Sequence, residues 1–517
     1  HGYFQQRVGH DGWQQELYPV SQPENLPLEL VTLEEGGRLL NSVEIGHSTV
    51  YFQAWRLNIG RAVLYLLDTS LPENDQHFQG LTSHVYGGDI DTRIGQEIVL
   101  GIGGVRFLRS LKKDPFVYHI NEGHSAFLAL ELFKEHLQEG KSPEEAKNLV
   151  RSKCMFTTHT PVPAGHDRFS SELMQHALGK FWAATGLSHQ QLMGFGRVNE
   201  KDGQELFTMT ALALKMSRAA NGVSRLHGQV SREMWRQLYP DVPVEKVPIG
   251  HVTNGIHTPS WATARAHEFW NKRLGFDWTD RLLEPEFWKK IDRLASDEEL
   301  WALRYTLRRD LVEFARRRLK EQYARIGGDG TGSFDHVLSP DVLTICFARR
   351  FATYKRAPLI FRHLETIIPL LTNPERPVQI IFAGKAHPRD NEGKKFIQKV
   401  IEISRHPQLF GRVVFLENYD IHVARSLVSG ADVWLNNPRR PLEASGTSGM
   451  KVIIHGGLNL SIMDGWWREA HNGKNGWSIG DDQNDSDLEA QDERDFESLR
   501  KVLAEEVIPE FFERDEL

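Results

Sequence analysis

The chain has 517 residues, with 62 Lys and Arg against 69 Asp and Glu, for a formal net charge of −7. That length is enough for two or three domains with large cores, and the mildly acidic, dispersed charge gives no electrostatic reason to expect nucleic acid. Two cysteines, Cys154 and Cys346, argue against a disulfide scaffold; no apolar run reaches a membrane span and no charged-then-apolar leader opens the sequence, so a cytoplasmic protein is the expectation.

His1 to Gln6 reads as a strand that begins without methionine, and the sequence closes on Glu513 to Leu517 just after a helix, so the chain reads as cut at both ends. Thr49 to Arg56 and Ala62 to Leu67 alternate like antiparallel strands around Asn58 to Arg61, which predicts a hairpin. Helices are expected over Ile94 to Ile102, over Ser125 to Gln138, and from Ser142-Pro143-Glu144-Glu145. That last start combines an N-cap serine, a proline in the first turn and a capping glutamate. Trp301 to Ile326 reads as a long structural helix with Arg316-Arg317-Arg318 on a solvated face, and Gly327 to Gly332 as a flexible loop.

From about Asp341 the pattern changes to short apolar strands alternating with amphipathic helices, the signature of a parallel sheet covered on both faces. The strands read Val342 to Phe347, Val378 to Ala383, Val413 to Leu416, Ala431 to Leu435 and Leu458 to Met463. One apolar helix face is marked by Ile360, Phe361, Leu364, Ile367, Ile368 and Leu371, another by Phe396, Val400, Ile401 and Ile403. Ligands in such sheets bind beyond the carboxyl ends of strands. Arg349, Lys385, Tyr419 and Glu443 all follow a strand closely, so one crevice can collect them.

The stretch Glu443-Ala444-Ser445-Gly446-Thr447-Ser448-Gly449-Met450-Lys451 joins a carboxylate, small hydroxyls, glycines and a lysine. Glycines let backbone N–H groups approach an anion, the hydroxyls add donors, and a lysine can form a Schiff base with an aldehyde such as pyridoxal phosphate. Alone, the stretch reads equally as a Gly/Ser turn before a helix with a solvated lysine. Met450 and Val452 to Ile454 make a fully solvated lysine the poorer reading. Arg349, Arg350 and Lys355 place three cations within seven residues after a strand, suited to phosphate or, without further context, to ordinary surface charge.

EASGTSGMK followed by HGGLNLSIMDG resembles the pyridoxal-phosphate segment of the α-glucan phosphorylases, the glycogen, starch and maltodextrin phosphorylases. Further matches follow in the family's order: FTTHTPVPAGHD (Phe156 to Asp167), HVTNGIHTPSW (His251 to Trp261), ARRFATYKR (Ala348 to Arg356), AGKAHP (Ala383 to Pro388) and FLENYD (Phe415 to Asp420).

The resemblance implies a glycosyltransferase-B-like α/β fold: two α/β lobes facing a central cleft, an N-terminal glucan-binding lobe over 1–252 and a C-terminal cofactor-binding lobe over 253–517, the latter a doubly wound parallel sheet. It implies phosphorolysis of terminal α-1,4-glucosyl units of glycogen, starch or maltodextrin by inorganic phosphate, giving glucose 1-phosphate with retained configuration. Lys451 would hold pyridoxal 5′-phosphate, with Arg349, Thr447 and Ser448 at its phosphate and Trp261 and Tyr419 lining it. Arg350 and Lys355 would hold the substrate phosphate, while Glu443, Ser445, Gly446, His159, Asn254 and Val223 would touch the glucosyl unit. The cofactor's phosphate would exchange the proton with the substrate phosphate. His124 in Asn121-Glu122-Gly123-His124 also matches a family motif near the pocket, and no histidine shows metal-ligand spacing. His159 by itself reads as a hydrogen-bonded structural histidine.

Phosphorylases of this family are commonly dimers through the N-terminal lobe, so a homodimer is the matching expectation. They also carry a glycine-rich loop before the position matching His1 and helices after that matching Leu517. Arg349, Ala352 and Ser448-Gly449 depart from the better-known members, as does Asn437-Pro438-Arg439-Arg440-Pro441, and resemble a divergent bacterial and archaeal branch. Two other functions stay open at this point: a nucleotide-sugar glucan synthase of the same fold, against which Lys451 argues, and a fragment that binds cofactor or glucan without turnover.

Overall fold

The computed structural model describes residues 4–85, 88–162, 165–289, 295–326, 334–481 and 487–513. Two compact units emerge: His1–Phe4 with Tyr18–Thr253, and Gln5–Leu17 with Asn254–Leu517. The residues 5–17, expected with the N-terminal part, therefore belong to the second unit. They form an antiparallel hairpin of Gln5–Val8 and Gln14–Leu17. Gln6 and Gln14 donate their amides to the carbonyls of Gly384 and Ala386 at 2.8 and 2.9 Å, and Val8 is buried in the second unit's core. The alternating polar residues of this hairpin face inward because the partners are backbone carbonyls.

In the first unit, Ser48–Ile59 and Ala62–Asp68 pair antiparallel as the alternation predicts. Behind them stands a four-stranded parallel sheet in the order Ile249–His251, Ala219–Gly222, Cys154–Thr157, Tyr118–Asn121. The helix from Ser142 carries its capping box and spans Pro143–Lys153. The helix expected over Ile94 to Ile102 is instead α-helical over Ile90–Ile98 and π-helical over Val99–Gly103. A Cβ on Gly101 would lie 2.8 Å from the Leu128 nitrogen, so the wider turn accompanies close contact with the helix Leu128–Gln138, which starts at Leu128 and not at Ser125.

The second unit holds a six-stranded parallel sheet in the order Val413–Leu416, Val378–Ala383, Leu343–Ala348, Val433–Asn436, Leu458–Ile462, Gly476–Ile479. In chain order that is 3-2-1-4-5-6, the doubly wound topology, and the first three strands are buried on both faces. The α/β class with a doubly wound second sheet is as the sequence predicts. The strand read at Ala431 to Leu435 sits two residues later at its start, and Gly476–Ile479 was not read at all. It is a short edge strand, largely half-buried, in a Gly/Asn-rich stretch, so it carries little apolar signal.

The long helix runs Asp297–Arg325 from a Ser296/Glu299 capping box. Its Arg304 and Arg308 are buried on Asp432, and Arg316 donates to the carbonyls of Val337 and Leu338, so the basic run is not simply a solvated face. The glycine-rich stretch Gly327 to Gly332 lies outside the described residues.

Candidate functional site

In a 3-2-1-4-5-6 sheet the strand order reverses between the first and fourth strands, here Leu343–Ala348 and Val433–Asn436. Connections leaving these two strands depart in opposite directions and open a crevice at their carboxyl ends. Arg349 is the residue after the first strand. Its guanidinium bonds the Asn436 side chain at the end of the fourth, and it pairs with Glu443 in the loop that follows.

Lys355, on the turn Thr353–Lys355, donates to both Glu443 carboxylate oxygens at 2.9 and 2.7 Å. Lys355 and Glu443 are both buried. Burial by itself would push the Glu443 carboxyl up, yet Arg349 and then Lys355 outweigh it and hold the group at about 2. The proposed sugar ligand and two proposed phosphate ligands thus form one ion-paired cluster with a net positive charge. Tyr354, not singled out from sequence, places its ring centroid 4.7 Å from the Lys355 amine.

The loop carrying Glu443 is held by groups the sequence reading missed. Arg356 is buried in the left-handed region (φ +50) and donates to the carbonyls of Asn437 and Pro438, each at 2.9 Å, while pairing with Asp492 and Asp495. Asp464 accepts the Glu443 N–H at 2.9 Å and the Gly465 N–H at 2.8 Å; its burial raises the carboxyl to about 7. A Cβ on Gly465 would lie 2.3 Å from the Ser445 carbonyl, and the Trp466 N–H bonds that carbonyl at 2.9 Å. The signal of Asp464, Gly465 and Trp466 was in the sequence only as IMDGWW, whose partner Glu443 stands 21 residues from Asp464.

Ser445 Oγ and Arg349 Nε are buried without a hydrogen-bond partner. Such orphans are costly unless a ligand satisfies them. Gly446 lies at φ +83 between Glu443 and Thr447, and Thr447 caps the short helix Ser448–Ile453 without a side-chain bond. The Ser448 hydroxyl accepts from the Trp434 indole at 3.0 Å, leaving its own proton available. A Cβ on Gly449 would meet Asn459 Oδ1 at 2.1 Å, which requires glycine there.

Lys451 is partly buried, its amine 4.0 Å from the Trp261 ring centroid, and burial lowers its pKa. It has no ion pair among the described residues, which suits a nucleophilic amine. Tyr419 is partly buried and packed against the same hydrophobic cluster as Trp261, its hydroxyl raised to about 12 by burial. Lys385 is buried, whereas Arg350 is exposed and lies within electrostatic range of His387. Asn254 is half-buried.

The first unit gathers a second group at the carboxyl ends of its strands. His159 Nε2 donates to Asn121 Oδ1 at 2.8 Å, its backbone N–H reaches Glu122, and burial lowers its pKa. Glu122, also missed, sits at φ +62 and accepts the Thr160 hydroxyl at 3.0 Å; a strained non-glycine backbone at a strand end is a functional marker. Val223 is buried after Ala219–Gly222. His124 lies with Glu97 and Asp167, their donor atoms within 4.8 Å of one another, a grouping the chain spacing does not show. Arg93 already supplies a cation there, 3.0 Å from Asp167.

Residues 106–472 match the carbohydrate phosphorylase family. Among curated relatives, the chain is 44% identical over 513 residues to the maltodextrin phosphorylase of Thermococcus litoralis, covering 99% of this chain and 60% of that protein. It is 42% identical to the glycogen phosphorylase of Mycobacterium tuberculosis, covering 100% of this chain and 61% of the relative. With that of Aquifex aeolicus the identity is 39%, over 100% and 74%. The chain therefore spans about three fifths of the length of the first two relatives. With the match extending across both units and the reversal-point cluster seated in the matched region, this chain belongs to the carbohydrate phosphorylase family.

Proposed function

We propose that this chain serves phosphorolysis of terminal α-1,4-glucosyl units of glycogen, starch or maltodextrin to glucose 1-phosphate, configuration retained, with pyridoxal 5′-phosphate held at Lys451. One observation carries the reading: a partly buried lysine of lowered pKa lies against an indole face, just after a loop whose buried serine hydroxyl is unsatisfied. The relatives' names, maltodextrin phosphorylase and glycogen phosphorylase, support the substrate class.

The donor set fits the cofactor. Lys451 would hold its aldehyde, Trp261 and Tyr419 would flank the ring, and Arg349, Thr447 and Ser448 would take its phosphate. When bound, pyridoxal phosphate supplies a phosphate monoester whose second ionisation, at about 6, allows proton exchange near neutral pH. Lys355 and Arg350 would draw inorganic phosphate by charge. For Lys355 this means sharing its amine between that anion and Glu443, and the ion pair fixes where the amine stands. Ser445 Oγ, Gly446 and Glu443 would orient sugar hydroxyls, as would Asn254. In the first unit His159 and Val223 remain the proposed glucosyl contacts. A homodimer belongs to the same proposal.

Two measurements test it. Borohydride reduction of the chain incubated with pyridoxal phosphate, followed by peptide mass mapping, should place a pyridoxyl group on Lys451, and phosphate with maltodextrin should then yield glucose 1-phosphate. An unmodified Lys451 sinks the cofactor assignment. Modification with zero turnover leaves a chain that binds without catalysing.

A further inference from the structure

We infer that His455 is a positioning residue that holds the Lys451 amine against the Trp261 ring. The two residues stand on separate elements: Trp261 ends the helix Thr258–Trp261, and Lys451 lies in the helix Ser448–Ile453. Something must fix one to the other. His455, fully buried, accepts the Thr263 N–H on Nε2 at 3.2 Å, two residues after Trp261, and its Nδ1 lies 3.0 Å from the Lys451 carbonyl.

The roles of the two ring nitrogens follow from their partners. A backbone N–H can only donate, so Nε2 is bare; a carbonyl can only accept, so Nδ1 carries the proton. The imidazole therefore bridges in its neutral form, capping a carbonyl near the end of the lysine helix while tying the tryptophan segment to it. A second proton would set Nε2–H against the Thr263 N–H. Burial opposes that proton, holding His455 at about 4, and so do the Arg304 guanidinium and the His267 ring that face it.

Two further bonds keep the bridge in register. Arg304 donates to the His455 carbonyl at 3.0 Å, and the Trp270 indole to the Ile454 carbonyl at 2.9 Å. With the backbone on both sides anchored, the imidazole is the direct link between the Lys451 carbonyl and the segment that follows Trp261.

The inference deepens the reading of Lys451 given above and rests on it for its functional meaning, although the contacts do not depend on a cofactor. The experiment uses the chain without cofactor: pulse acetylation at a series of pH values, with mass mapping of Lys451, for wild type, His455→Phe, Thr263→Pro and Thr263→Ala. Thr263 has φ −70, which proline adopts without strain, so Thr263→Pro removes the donor hydrogen with little backbone change. Thr263→Ala keeps that hydrogen and loses only the side-chain cap to Ala266.

The expected result is a Lys451 titration midpoint that rises toward the ordinary lysine value by roughly half a unit or more in His455→Phe and Thr263→Pro, and stays at the wild-type value in Thr263→Ala, because freeing the indole rehydrates the amine. Coincident profiles for Thr263→Pro and Thr263→Ala would overturn the inference. If His455→Phe fails to fold, the proline and alanine pair still decides. Pyridoxal phosphate capture by wild type is scored separately, so its failure would count against the proposed function and not against the bridge.

Discussion

Glu443 accepts both hydrogen bonds from the Lys355 amine while Arg349 pairs with the same carboxylate, so one buried anion is shared by two cations, Lys355 buried and Arg349 partly buried. Taking charges out of water is costly, and removing one partner leaves the others unpaid. The cluster therefore locks the reversal point of the sheet electrostatically as well as chemically.

Replacing that anion should be severe. Glu443→Gln should lose about 3 to 5 kcal/mol of stability in urea unfolding, because two cations are left without their partner. The acid limb should change as well. Glu443 has its folded pKa held down near 2 against an ordinary 4.5, so its contribution is present above 4.5 and lost as pH falls from 4.5 toward 2. A loss below 1 kcal/mol, or an unaltered acid limb, would contradict this account.

Ser445 separates folding from binding. Its hydroxyl is buried without a partner, so Ser445→Ala should leave stability unchanged within about 0.5 kcal/mol, or raise it slightly. If the chain proves active, the same variant should lose at least about tenfold in kcat/KM for the glucan, since the hydroxyl's partner would then be the ligand. Parallel losses in melting temperature and in kcat/KM would show instead that the hydroxyl is structural.

Gly449 is fixed by contact. A Cβ there would stand 2.1 Å from Asn459 Oδ1, so Gly449→Ala should cost about 1 to 3 kcal/mol through overpacking. Adding Asn459→Ala should recover part of that cost, and the double-mutant cycle should be non-additive. Strict additivity would place the strain elsewhere, for instance at Trp466, whose ring would lie 3.2 Å from the same Cβ.

Asp464 titrates in the opposite sense to Glu443. Burial raises its folded pKa to about 7 from an ordinary 3.8, so between those values the native state holds the extra proton and stability falls as pH rises. Asp464→Asn should flatten that fall in thermal melts taken from pH 4 to pH 8. The same slope in both proteins would assign the proton to another group.

How much of this was legible depended on range. Val378–Ala383 and Val413–Leu416 coincide with the strands read from the sequence, because strands buried on both faces show as unbroken apolar runs. The Pro143–Lys153 helix was readable from its cap, since capping is settled within four residues. The polar hairpin Gln5–Leu17 was assigned to the wrong unit because its glutamines bond carbonyls more than 370 residues away. Glu122, Asp464, Arg356 and His455 were passed over for the same reason: each acts through a partner that no local pattern announces.

The sequence by itself determined the alternation that makes the second unit α/β, the cationic run after its first strand, and the hydroxyl- and glycine-rich loop ending in a lysine. Local sterics, periodicity and residue chemistry suffice for those. Only the tertiary structure decided that Glu443 pairs with both Arg349 and Lys355, that the Lys451 amine lies on the Trp261 face, and that a neutral histidine ties their backbones together. Such pairings are set by burial and by long-range hydrogen bonds, whose energies exist only once water has been excluded from between the partners.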